Sequence, residues 1–112
     1  METKIALKAL SALGHESRLA AFRILVQAGP DGLPVGELRE RLDIPAATLT
    51  AHLNILRAAA LVNDQREGRV IRVRANYLQM NGLLDYLTEN CCGGVTACGP
   101  AQTCAPSKKA SR

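Results

Sequence analysis

The residue order predicts a small, mainly α-helical domain with one β-hairpin, and three observations carry that expectation. Apolar residues recur at helical spacing through most of the first 58 positions. The period then shortens to two over 62–66 and 70–74, the mark of paired strands. A last helical pattern follows. Beyond it, all four cysteines of the chain, Cys91, Cys92, Cys98 and Cys104, fall within the final 22 residues. At 112 residues there is room for one domain. The expected division is a folded unit over 1–90 and a cysteine-containing segment over 91–112.

Each element has its own signal. Ile5, Ala9 and Leu13 share one face of a first helix over 3–13, which Gly14-His15-Glu16 interrupts. A second helix is expected from Glu16 to Ala28, with Leu19, Phe22 and Val26 as its apolar stripe. Gly29-Pro30-Asp31-Gly32 is a loop. Val35, Leu38 and Leu42 mark a short third helix, and Asp43-Ile44 a tight turn. Pro45 suits the first turn of a fourth, where a missing N–H costs little. Leu49, Leu53 and Leu56 recur along that helix. Val62 to Arg66 and Val70 to Arg74 read as strands joined by Glu67-Gly68, with Ile71 and Val73 on one face and Arg72 and Arg74 on the other. The last helix is expected from Asn76 to Asn90, with Met80, Leu83, Leu84 and Leu87 on one side and Gly93-Gly94 ending it.

Helix three, a tight turn, helix four and a basic hairpin follow the order of a winged helix-turn-helix. With Leu49, Leu53 and Leu56 inward, Ala47, Ala51 and Asn54 point outward, flanked by Thr48 and Thr50. Small and hydroxyl side chains let a helix sit deep in a major groove, where Thr and Asn bond base edges and Ala packs on a thymine methyl. Arg66, Arg69, Arg72 and Arg74 suit phosphates or the adjacent minor groove. The net charge of +4 agrees with a polyanionic partner without requiring one. The N-terminus lacks a signal-peptide core, and the longest apolar run, Ala58 to Val62, is far too short for a membrane span. A cytoplasmic protein with reduced thiols and no membrane partner is therefore expected.

The stretch from Val35-Gly36-Glu37-Leu38 through Thr48-Leu49-Thr50-Ala51-His52-Leu53-Asn54-Ile55-Leu56-Arg57 resembles the ArsR/SmtB family of metalloregulatory repressors. Ala58-Ala59-Ala60-Leu61-Val62 and the earlier Leu10 to Leu19 extend the likeness over about residues 8–90. The resemblance implies a homodimer joined through its first and last helices, with Ile5, Met80, Leu83, Leu84 and Leu87 as interface residues. It implies repression of double-stranded operator DNA, relieved by an inducer, and marks the helix with Thr48, Thr50 and His52 as the recognition helix. On the helical wheel His52 lies toward the buried side, which suits a hydrogen-bonded packing or phosphate-contacting role; His15 is read in the same way. Two metal sites known in the family cannot be built. The third helix begins Leu33-Pro34-Val35-Gly36-Glu37 and holds no thiol, and Asp85 in the last helix is followed by Tyr86-Leu87 with no histidine.

Any inducer site must then lie in the cysteine tail. Cys91 falls four residues after Leu87 and continues the apolar stripe of the last helix, while Cys92 is turned by about 100°. Gly93-Gly94 lets the chain double back, bringing Cys98 toward the pair. Three thiolates on one side of an ion suit trivalent arsenic or antimony, whose lone pair fills the remaining position. Tetrahedral zinc asks for four ligands, a set that Cys104 could complete. The Cys-Cys-x5-Cys spacing resembles that of arsenical repressors in the same family, which favours the three-thiol site of Cys91, Cys92 and Cys98. The expected function is a repressor released from its operator by As(III) or Sb(III). Sensing of cadmium, zinc or lead, or of thiol oxidation, by the same cysteines is the alternative. An enzyme is not expected, nor a catalytic cofactor. Phosphatase-like arsenate reduction needs an Arg six residues after its Cys, and positions 97, 98 and 104 are Ala, Cys and Cys.

Overall fold

Small side chains decide how the first helix packs. In the computed structural model, which describes residues 1–91, α1 (Thr3–Leu13) buries Ala6, Ala9 and Ala12. This alanine face replaces the expected stripe of Ile5, Ala9 and Leu13. Methyl-sized contacts bring the helix close to its neighbours, and the larger Ile5, Leu7 and Leu10 are turned outward. α2 (Glu16–Ala28) begins at His15, whose Nδ1 accepts the Ser17 N–H as an N-cap. It buries Ala21, Phe22 and Leu25; Leu19 of the expected stripe is exposed and Val26 half-buried.

After the loop, β1 (Leu33–Pro34) pairs antiparallel with a later strand, β3. This strand carries no sequence signal, because two residues that include a proline have no alternation to read. α3 (Val35–Leu42) buries Leu38 and stops at Asp43, which is left-handed (φ 53°) and whose N–H bonds the Arg39 carbonyl at 2.8 Å. α4 (Ala46–Ala58) follows, with Pro45 just before it as the N-cap residue rather than inside its first turn. Leu49, Leu53 and Leu56 are buried, as their spacing requires.

β2 (Val62–Glu67) and β3 (Val70–Ala75) form the hairpin, and β3 lies in the centre of the order β1-β3-β2. Glu67 pairs with Val70, so the tip is Gly68-Arg69, one residue later than the expected Glu67-Gly68. Gly68 supplies the left-handed conformation (φ 62°) of this two-residue turn. Val73 is fully buried and Ile71 partly so.

α5 (Tyr77–Leu87) opens at Asn76, whose Oδ1 accepts the Gln79 N–H. It ends at Leu87, short of the expected Asn90. The Thr88 hydroxyl donates to the Leu84 carbonyl at 2.8 Å, and Asn90 is left-handed (φ 58°). A left-handed residue breaks the helical path, so Cys91 leaves the Leu87 stripe and is exposed, its N–H bonded to the Thr88 carbonyl. Gly93-Gly94, Cys92, Cys98 and Cys104 lie outside the described residues. Among the described residues, no helix is long and apolar enough to cross a membrane.

Candidate nucleic-acid interface

Three buried leucines set the rotation of α4. With Leu49, Leu53 and Leu56 facing the core, Ala47, Thr48, Thr50, Ala51 and Asn54 are all exposed on one continuous face. Ile55, 42% exposed, is the one large apolar side chain on that face. The Thr50 hydroxyl donates to the Ala46 carbonyl at 3.0 Å, which fixes its rotamer and leaves its oxygen lone pairs outward. Asn54 Oδ1 accepts from Arg57 Nη1 at 2.8 Å, so its amide nitrogen remains a donor. Arg57 in turn makes a 2.8 Å ion pair from Nε to Asp64 on β2. This close charge contact ties α4 to the hairpin. The sequence reading missed it, although Arg57 stands one helical turn after Asn54 and Asp64 points back from the strand.

The four hairpin arginines separate into two kinds. Arg66 and Arg69 are exposed, Arg69 at the tip. Arg72 is partly buried and turned across the sheet: Nε donates to the Asp31 carbonyl at 3.1 Å and Nη2 to the Gly32 carbonyl at 3.3 Å, with Glu67 at 4.0 Å. Arg74 donates to Gln65 at 3.3 Å. The expected phosphate-contacting group therefore includes one residue, Arg72, whose donors already hold the loop before β1.

His52 is half-buried on the side of α4 facing α2. Its Nδ1 lies 3.5 Å from Arg18 Nη1, and its ring centroid is 4.7 Å from that of His15. Burial first, then His15 and Arg18, hold its pKa below the ordinary value of 6.5. Both histidines thus belong to one corner, and Arg18 is a member that the sequence reading did not name.

The interface residues expected from the family resemblance divide in the same way. Ile5, Leu84 and Leu87 are 44%, 52% and 54% exposed, and Met80 is half-buried. Leu83 is 5% exposed and packs in the chain's own core, because it faces inward one position before Leu84. Leu19, Phe22, Val26, Met80 and Leu84 line an apolar groove of about 440 Å³ between α2 and α5. Of the four cysteines only Cys91 lies among the described residues, where no group of three or more His, Cys, Asp or Glu side chains comes together.

Comparison with known proteins agrees with this geometry. Residues 13–65, from the end of α1 into β2, match the family described as Helix-turn-helix domain. The chain is 30% identical over 78 residues to the transcriptional activator HlyU of Vibrio cholerae serotype O1, covering 70% of this chain and 69% of that one. It is 38% identical over 65 residues to the biofilm growth-associated repressor of Agrobacterium fabrum, covering 58% of this chain and about half (53%) of that protein. Among solved structures it is similar to an ArsR-like transcriptional regulator from Rhodococcus sp. RHA1, with a TM-score of 0.66, 28% identity, and coverage of 75% and 76% of the two chains. The helix-turn-helix geometry and these relatives lead to one conclusion: the chain belongs to the ArsR-like family of winged helix-turn-helix, DNA-binding transcriptional regulators.

Proposed function

We propose that this regulator is a homodimeric repressor that holds operator DNA through α4 and the wing, and releases it when As(III) or Sb(III) is bound by Cys91, Cys92 and Cys98. The observation that carries the DNA-binding part is the exposed face of Ala47, Thr48, Thr50, Ala51 and Asn54 beside the exposed Arg66 and Arg69. Such a face fits the major groove, with arginines at its edge for the backbone. The outward Ile5, Leu84 and Leu87, with the adjoining groove, suit burial against a second copy. A two-fold dimer would place its reading helices about 34 Å apart, in successive major grooves.

The inducer reading rests on thiol chemistry. Three soft thiolates favour a pyramidal metalloid over a tetrahedral ion. Cys91 is exposed after the Thr88–Asn90 turn, within one short segment of the interface helix α5. Ligation there would act on α5 through that turn rather than along a continuous helix. The coupling needed is a few kcal/mol.

The test is release from a DNA site selected by the protein itself, titrated with As(III), Sb(III), Cd(II) and Zn(II). Release is expected with As(III) and Sb(III). Cys91→Ser, Cys92→Ser and Cys98→Ser should each still bind DNA but no longer respond, since a serine hydroxyl stays protonated at neutral pH where a thiol ionises readily. Cys104→Ser should respond like the parent. A requirement for all four cysteines, with release by Cd(II) or Zn(II), would replace the metalloid by a divalent ion. Release by a mild oxidant alone would make the tail a thiol redox sensor.

A further inference from the structure

The corner between α1, α2 and α4 holds titratable side chains whose hydrogen bonds specify a protonation state. His15 and His52 stand with ring centroids 4.7 Å apart and planes tilted by 44°. Arg18 Nε donates to the Ala12 carbonyl, near the end of α1, at 2.6 Å, and its Nη1 lies 3.5 Å from His52 Nδ1. A guanidinium has donors only, so His52 Nδ1 is the acceptor and bears no proton. His15 Nδ1 accepts the Ser17 N–H at 3.1 Å as the cap of α2. Each Nδ1 is thus a hydrogen-bond acceptor, and for His52 this goes with the neutral ring.

The surrounding charge favours the same state. Arg18 and His15 oppose a proton on His52, and burial adds to them. The charged residues of α1, Lys4 and Lys8, are cationic, and Arg57, farther along α4, already neutralises Asp64. Glu16, exposed in the first turn of α2, is the neighbouring carboxylate in sequence and bonds to neither ring.

We propose that His15, Arg18 and His52 form a proton-sensitive catch: a proton on Nδ1 of His52 breaks its bond to Arg18, which joins the α1–α2 corner to α4, and DNA is held less tightly. The inference rests on the DNA-binding reading above, but its first readout requires no DNA. The sign follows from the fold selecting the neutral form of His52. Stability is complete above about pH 6.5 and falls as the pH drops below it toward the lowered value in the folded state.

The test compares thermal melts of the full chain at pH 7.5 and 5.5 for the parent, His15→Asn and His52→Gln. Asn caps a helix without titrating, and the Gln carbonyl accepts from Arg18. The parent's Tm is expected to drop by about 5 °C on acidification, with a smaller drop in each variant. Operator affinity of the parent, at constant ionic strength, should weaken about threefold to tenfold over the same range, with a flatter profile for His15→Asn. Equal pH slopes in parent and variants would overturn the proposal. So would tighter operator binding in acid, which would make the imidazoles cationic phosphate contacts instead. Nitrogen-15 spectra of the parent serve if a variant fails to fold: a protonated Nδ1 on His52 at pH 7.5 is incompatible with the catch. A parent that binds no operator at any pH defeats the DNA-binding reading, while the melts and spectra still decide this one.

Discussion

At Gly32 a single hydrogen in place of a methyl group lets the loop pass against the central strand. The residue is left-handed (φ 66°), and a Cβ there would collide with the Val73 carbonyl oxygen and lie 2.8 Å from Arg74 Cβ. Backbone atoms cannot swing aside as a side-chain tip does. Gly32→Ala is therefore expected to destabilise the fold by at least about 2 kcal/mol, read from a denaturant melt. A midpoint equal to the parent's would show that the loop has another path. Arg72 closes the same contact from the other side, with two donors on the Asp31 and Gly32 carbonyls. Asp43 acts at the same scale, since its left-handed backbone ends α3 before α4 begins.

Elements divide the labour between fold and reading. In α4 the buried leucines and the small exposed residues occupy opposite faces, so packing does not draw on the side chains proposed to read DNA. Within the wing, exposure separates two roles. Arg69→Ala should weaken binding to all DNA sequences alike and make the salt slope shallower by about one, as expected for one lost phosphate contact. Arg72→Ala should instead lower the stability of the free protein by about 1–3 kcal/mol, through lost charge-assisted bonds to the loop. Salt-titrated binding and DNA-free melts of the two variants check this division; an exchange of the two effects would reverse the assignment.

For the whole molecule, the question is which apolar surface remains uncovered. α1 spends its alanines on the core and presents Ile5, Leu7 and Leu10 outward, while α5 buries Leu83 and presents Leu84 and Leu87. The Thr3 hydroxyl, 2.7 Å from the Tyr86 hydroxyl, holds the two helices side by side. Leu84→Ala should scarcely change the melting of an isolated subunit, because the side chain is half exposed there. In a dimer that buries it, the loss is about 2–5 kcal/mol, which raises the dissociation constant at least thirtyfold. Sedimentation over a dilution series measures this. Unchanged association would exclude Leu84 from the interface.

Residue order by itself determined the element types, the positions of four of the five helices to within a residue or two, and the two wing strands. It also determined the inward face of α4, because a leucine period of i, i+4, i+7 admits one rotation. The outward reading face follows directly from that rotation. Tertiary structure decided what local pattern does not encode. Strand β1 exists only through its pairing with β3, since Leu33-Pro34 has no alternation of its own. The alanine face of α1 and the inward turn of Leu83 depend on how closely neighbouring helices approach, which periodicity cannot measure. Arg72 reads as an exposed wing charge until the fold brings the Asp31 and Gly32 carbonyls, some forty residues earlier in the chain, within reach of its donors. His15 and His52 are 37 positions apart in sequence and meet only when α2 packs on α4. The end of α5 was decided locally, but by competition: the Thr88 hydroxyl and the left-handed Asn90 outweigh an apolar stripe that would otherwise continue to Cys91.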